Sequence, residues 1–223
     1  MRNVACVGIV LWCALVSSGI RPAASPQPTS VQAILSRRIT VQLNQATLRL
    51  AVGTLSAAHK VPVGVEYAVA HSDEHIINLD FKDGTAKEVL DSIVRQEPRY
   101  RWEMIDGVIN FVPTCGRDPF IEAFLETPVD HFDPGKWTSI FQVRNAIGDI
   151  PEVKQMLAAN HKTLYKSGDY VKRPSIYAKG DVDLSVSHTT VRGLLNRVIR
   201  ESEHNFWSIG WARSDKDALS IRF

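Results

Sequence analysis

The chain has 223 residues, of which 44% are hydrophobic and 22% charged, with a formal net charge of +2. That is apolar material for one or two packed domains and excludes a disordered polyelectrolyte, while 13 glycines and 11 prolines exclude collagen-like and low-complexity chains. With 26 basic against 24 acidic residues there is no basic excess of the kind a nucleic-acid surface needs, and three cysteines cannot make a disulfide framework.

Met1-Arg2-Asn3 and the charge-free run Val4–Val16, 13 residues long, have the positive start and apolar core of a secretory signal. The run is short for a bilayer-spanning helix. Small residues at Ser17, Ser18 and Gly19 offer a cleavage point after Ser18 or Gly19. Residues 1–19 are therefore expected to be a signal peptide and the protein periplasmic or secreted, with an uncleaved N-terminal anchor as the alternative. A lipoprotein is disfavoured, because Cys6 lies too near the start and Cys13 follows a tryptophan. Cleavage would leave Cys115 as the last thiol and no internal disulfide. In Thr114-Cys115-Gly116-Arg117 it reads as an ordinary linker residue.

Residues 20–38 read as a linker, with three prolines between Arg21 and Ser30. Ile39, Val41 and Leu43 then alternate as in a half-buried strand, and Leu48, Ala51, Val52 and Leu55 describe an amphipathic helix starting near Thr47. Val61–Tyr67 returns to strand character. Ile77, Leu79 and Phe81 alternate again, and Lys82-Asp83-Gly84 reads as a turn. Thr85 and Glu88 fit a capping box for a helix burying Val89, Leu90, Ile93 and Val94, with Pro98 past its end. Tyr100, Trp102 and Met104 alternate, Asp106-Gly107 is a type I′ turn, and Val108–Val112 runs back. Residues 39–113 thus form one α+β unit.

Residues 114–176 read as a helical connecting segment and loop. Trp137, Ile140, Phe141, Arg144 and Ile147 predict one helix, and Asp149 with Pro151 caps a second bearing Val153, Met156 and Leu157. Leu164–Tyr177 has little periodicity and reads as an exposed crossing loop. Residues 177–223 form a second, partial unit. Shifted by 105 positions, Ile77 falls on Val182, Leu79 on Leu184, Thr85 on Thr190, Leu90 on Leu195, Arg95 on Arg200 and Trp102 on Trp207. Five of 28 ungapped columns are identical, and the apolar faces stay in phase through strand, helix and strand. That shared register predicts an internal repeat, since a one-residue slip would turn a strand's apolar face outward. An earlier strand-then-helix copy begins at Ile39, with Thr47 in the place of Thr85. The expected fold class is α+β, two small strand-helix-strand/hairpin units with helices packed on short mixed sheets.

A Thr-capped helix after an alternating strand, then an aromatic strand returning through Asp-Gly, resembles the secretin and TonB N-terminal (STN) domain. The residues that carry the resemblance are Val41-Gln42-Leu43, Thr47-Leu48, Leu55, Val61-Pro62-Val63, Leu79-Asp80-Phe81, Thr85–Leu90 and Ile109–Val112. The resemblance covers residues 39–113 well and 182–223 more loosely. The resemblance implies a small periplasmic α+β domain that works by contact, beneath a secretin channel or in a TonB-dependent transducer. Nothing after residue 113 offers the channel, plug or barrel of those proteins, so a stand-alone adaptor is expected.

His71-Ser72-Asp73-Glu74-His75 matches the H-x-x-E-H form of zinc peptidases, with Glu74 as base. That chemistry needs a helix, whereas Ile76–Phe81 reads as a strand, so a polar loop is the simpler reading. Asp130-His131-Phe132-Asp133-Pro134-Gly135 places two carboxylates around an imidazole, but Asp-Pro-Gly is turn chemistry. His59, His161, His188 and His204 stand alone. Trp102, Trp207 and Trp211, with Tyr100 and Phe206, suggest a glycan-stacking platform or core packing, with Trp211 the exposed ring. Lys162, Lys166, Lys172 and Arg173 suggest a polyanion surface or a solvated loop face, diluted by Asp169. Leu219–Phe223 reads as the last strand of the second unit rather than part of an outer-membrane barrel.

No catalytic, cofactor or metal residue is assigned. The expected function is an exported, non-catalytic interaction module at the bacterial envelope. It would contact a protein partner or a second copy through an open sheet edge or helix face. The alternatives are a glycan- or peptidoglycan-binding protein and a zinc-dependent hydrolase.

Overall fold

A computed structural model describes residues 31–68, 75–135, 140–165, 184–202, 204–212 and 215–223. The expected signal peptide and most of the linker lie outside them. The fold is α+β, as the alternating and helical periods require. In chain order the elements are α1 (Val31–Leu35), β1 (Arg38–Ala46), α2 (Leu48–His59), β2 (Val63–Glu66), β3 (Ile77–Thr85), α3 (Ala86–Gln96), β4 (Tyr100–Ile105) and β5 (Val108–Pro113). There follow α4 (Pro119–Leu125), β6 (Pro128–Phe132), α5 (Ile140–Asp149), α6 (Pro151–Ala159), β7 (Thr163–Leu164), β8 (Val186–Thr190), α7 (Val191–Glu201), β9 (Phe206–Ala212) and β10 (Asp215–Arg222).

The strands form a six-stranded sheet, ordered β4-β5-β2-β9-β10-β7, and two antiparallel ribbons, β1–β3 and β6–β8. In the first half of the chain, β2 pairs parallel with β5 and β5 antiparallel with β4; in the second, β7 pairs parallel with β10 and β10 antiparallel with β9. The half-sheets meet where β2 pairs parallel with β9. Helices α2 and α3 touch both the first ribbon and the main sheet, and α7 touches both the second ribbon and β9. Each half therefore has ribbon, helix and sheet layers over its own core. Leu55, Leu90, Ile93 and Phe111 are buried in the first, and Phe124, Leu195, Trp207 and Leu219 in the second.

Thr47, Thr85 and Thr190 cap α2, α3 and α7, each accepting from the amide three residues on: Leu50, Glu88 and Gly193. Glu88 completes the box by accepting from the Thr85 amide at 2.7 Å. Helices α3 and α7 begin and end 105 residues apart. The Trp102 indole donates to Asp91 at 3.0 Å and the Trp207 indole to Asn196 at 2.8 Å, pairs that also differ by 105. Asp106 and Gly107 both have positive φ, 51° and 76°, as a type I′ turn requires.

Four boundaries differ from those read in the sequence. The linker does not extend to residue 38, because α1 buries Ile34 and β1 begins at Arg38. Lys82-Asp83-Gly84 is no free turn; β3 continues through it to Thr85, with Asp83 at φ 57°. Asp149 ends α5 and caps nothing; Ile150 is the cap residue of α6, without a side-chain bond, and Asp149 pairs with Lys154 at 3.2 Å. Residues 114–176 are more than a connector, since β6 pairs with β8 and β7 with β10, and Leu164 is buried. Strands of five and two residues are too short to declare a period, which is why they read as loop.

Candidate functional site

The most elaborate polar arrangement among the described residues lies at the β2–β9 seam. Strand β2 is buried along its whole length, and its last residue, Glu66, is 1% exposed. Arg117, in the turn before α4, reaches it with Nε 2.8 Å from Oε2 and Nη2 3.1 Å from Oε1. Arg192, in the first turn of α7, places Nη1 2.6 Å from Oε1, a charge contact without the alignment of a hydrogen bond. The guanidiniums are themselves held: Arg117 by Glu122 at 2.5 Å and Arg192 by Glu126 at 2.9 Å, both acids lying in or just after α4. Burial works against the Arg117 charge, but the bonds to Glu66 and the nearby Glu122 and Glu126 outweigh it and raise its pKa.

The seam is also fitted sterically. Gly64 lies opposite Trp207, and a Cβ on it would stand 2.3 Å from the indole. A Cβ on Gly210 would stand 3.2 Å from Tyr67. From the other side, α7 grips the β4–β5 turn: Asn196 donates to the Ile105 carbonyl at 3.2 Å and Arg200 to that of Asp106 at 2.8 Å. Val108, the first residue after this turn, is buried in the second half's core. Chemically the cluster is a brace. Its one deeply buried carboxylate is bound by two guanidiniums that are already occupied, leaving no face of it open to a substrate.

A second buried carboxylate, Glu97, follows α3. Arg99 binds it twice at 2.7 Å, and His75 donates its amide at 3.2 Å with Nδ1 3.5 Å from Oε1. Burial pushes the Glu97 pKa up, but the Arg99 and His75 contacts prevail and hold it below its ordinary value.

The residues singled out in the sequence are dispersed. His71, Ser72, Asp73 and Glu74 lie outside the described residues, and His75 serves Glu97. His131 contacts Ser187 across the second ribbon at 3.2 Å, and Asp133 accepts from the Gly135 amide at 2.8 Å, the turn bond expected of Asp-Pro-Gly. Among the described residues no three His, Cys, Asp or Glu side chains are grouped to hold a metal. Trp207 is fully buried and Trp102 partly so. Trp211 is not the free ring expected: its indole donates to Asp118 at 2.6 Å, Phe120 stacks on it at 5.5 Å, and Lys162 stands 5.1 Å from its centroid. Lys162 also pairs with Asp217, while Lys166, Asp169, Lys172 and Arg173 lie outside the described residues. Cys115 is an exposed free thiol. No helix among the described residues is long and apolar enough to cross a membrane.

No family model matches the chain, and no curated protein or solved structure matches it.

The Glu66–Arg117–Arg192 brace had no signature in the sequence, because its members are 51 and 75 residues apart along the chain. One signal was present. A carboxylate closing the apolar strand Val63–Val65 must be either exposed or paired, since burial of a lone charge is prohibitive.

Proposed function

We propose that the protein is an exported, non-catalytic interaction module of the bacterial envelope, related to the STN domains it resembles. The observation that supports this reading is the β2–β9 joint. There the chain builds a continuous sheet by laying the edge of one half on the edge of the other, so contact through strand edges is already its mode of assembly. The buried charges are spent on bracing that joint rather than exposed for chemistry. Such a body presents a fixed sheet edge and helix faces to a partner protein.

The reading is tested by crosslinking the protein in fractionated envelopes and identifying the adducts by mass spectrometry, alongside light scattering of the purified chain. A discrete adduct with one envelope protein, lost in cytoplasmic fractions, is the expected result. A strict monomer that co-fractionates with no envelope component and gives no adduct would overturn it.

A further inference from the structure

The joint inside the molecule specifies the chemistry that an open edge of the same sheet accepts. In β9 the groups facing β2 belong to alternate residues: Val63 donates its amide to the Asn205 carbonyl at 2.8 Å and Tyr67 to that of Ile209 at 3.0 Å, with Trp207 between them. Strand β4 is one edge of the sheet among the described residues, β7 being the other. Ile105 and Val108 close its two-residue turn, and Thr114 donates to the Arg99 carbonyl at 2.6 Å at the other end. Both anchors turn the backbone groups of Arg101, Glu103 and Ile105 toward β5, and those of Trp102 and Met104 toward the open side. At the shift of 105 that relates α3 to α7, Trp102 and Met104 are the counterparts of Trp207 and Ile209.

The side chains around the two edges correspond as well. Each tryptophan donates its indole to the residue at the same place on its helix, Asp91 or Asn196. Where α7 carries Arg192 to bind Glu66, α3 carries Lys87, 57% exposed, 6.0 Å from the Trp102 centroid and paired with Asp91. On β9 the tryptophan is covered by a glycine, and the cation is met by a carboxylate two residues further along the added strand. We infer that the open edge of β4 is a strand-addition site for a parallel, extended segment of a partner protein carrying a glycine opposite Trp102 and, two residues on, an acidic side chain that reaches Lys87.

This inference rests on the interaction-module reading, and its test is independent of the envelope experiment. A labelled peptide with the sequence of residues 61–68, Val-Pro-Val-Gly-Val-Glu-Tyr-Ala, is titrated into the purified full chain by fluorescence anisotropy, with amide hydrogen exchange read at Trp102 and Met104. Saturable binding that protects those two amides is expected. Replacing the peptide's glycine by leucine or its glutamate by lysine is expected to weaken binding about tenfold or more. Met104→Pro removes one outward N–H without touching a bond to β5 and is expected to weaken binding comparably at unchanged circular dichroism. Lys87→Glu, at an exposed position, is expected to reject the glutamate peptide and accept the lysine one. No saturable binding, protection at β9 instead of β4, or affinity indifferent to both Met104→Pro and Lys87→Glu would overturn the inference. So would assembly of the chain through β4 and β7. Envelope adducts without peptide binding would remove this inference alone; peptide binding without adducts would remove the envelope reading alone.

Discussion

Gly64 and Glu66, two residues apart on one buried strand, show how a short sequence carries the joint between two cores. The absent side chain of Gly64 is a positive requirement, because Trp207 fills the space. Gly64→Ala is expected to cost about 1–3 kcal/mol through overpacking, read as a lowered urea midpoint and a changed Trp emission. Removing a brace partner should cost more. Arg192→Ala leaves Glu66 with Arg117 alone, a guanidinium shared with Glu122, and breaking a buried pair costs about 3–5 kcal/mol. Arg117→Ala is expected to cost less, since the Arg117 side chain is 24% exposed against 5% for Arg192 and water can replace part of its role. Equal urea midpoints for the two variants would contradict this ranking. Glu97 supplies the pH dependence. Its pKa in the folded chain lies below the ordinary 4.5, so its stabilisation is present above that value and lost as pH falls through the depressed pKa. Acid unfolding should thus steepen below 4.5, and Glu97→Gln should be less stable at neutral pH yet show a shallower decline on the acid side.

At the scale of elements, the parts legible in the sequence were those with local signals. Thr47 and Thr85 announced helix starts, Asp106-Gly107 announced a hairpin, and the phase shared around Thr85 and Thr190 located α3 and α7. These features rest on bonds between residues three or four apart, so a linear reading finds them. Thr190→Ala tests one directly: losing the bond to the Gly193 amide should cost about 1 kcal/mol, and Thr190→Ser should retain most of it, both read from thermal or urea unfolding. What was not legible depends on partners far along the chain. Strands β6 and β7 are strands because β8 and β10 pair with them, and nothing within five or two residues states that. Trp211 reads as the exposed ring because the residues that close around it, Asp118, Phe120 and Lys162, lie far from it along the chain. The candidate site was hidden for the same reason: one of its charges ends a strand, one sits in a turn and one begins a helix.

At the scale of the whole molecule, the two halves hold separate cores, yet the structure gives them little room to unfold separately. Val63 and Val65 are buried at the centre of the six-stranded sheet and pair on one side with β5 and on the other with β9. The β4–β5 turn lodges against α7, and Val108 contributes to the second core. Loss of the second half would expose the β9-facing edge of β2, the buried Glu66 and Val108 together, a combination of unpaired backbone, unpaired charge and apolar surface. Unfolding of the full chain is therefore expected to be a single transition, with the emission of Trp102 in the first half and of Trp207 and Trp211 in the second tracking far-ultraviolet circular dichroism. A fragment ending at residue 118 is expected to lack a cooperative transition of its own, although it holds every strand of the first half. Two resolved transitions in the full chain, or a sharp one in the fragment, would mean that the seam is a contact between independent domains and not part of their folding. The physical case favours coupling, because the brace takes its anion from the first half and its most buried cation from the second, and neither is stable buried without the other.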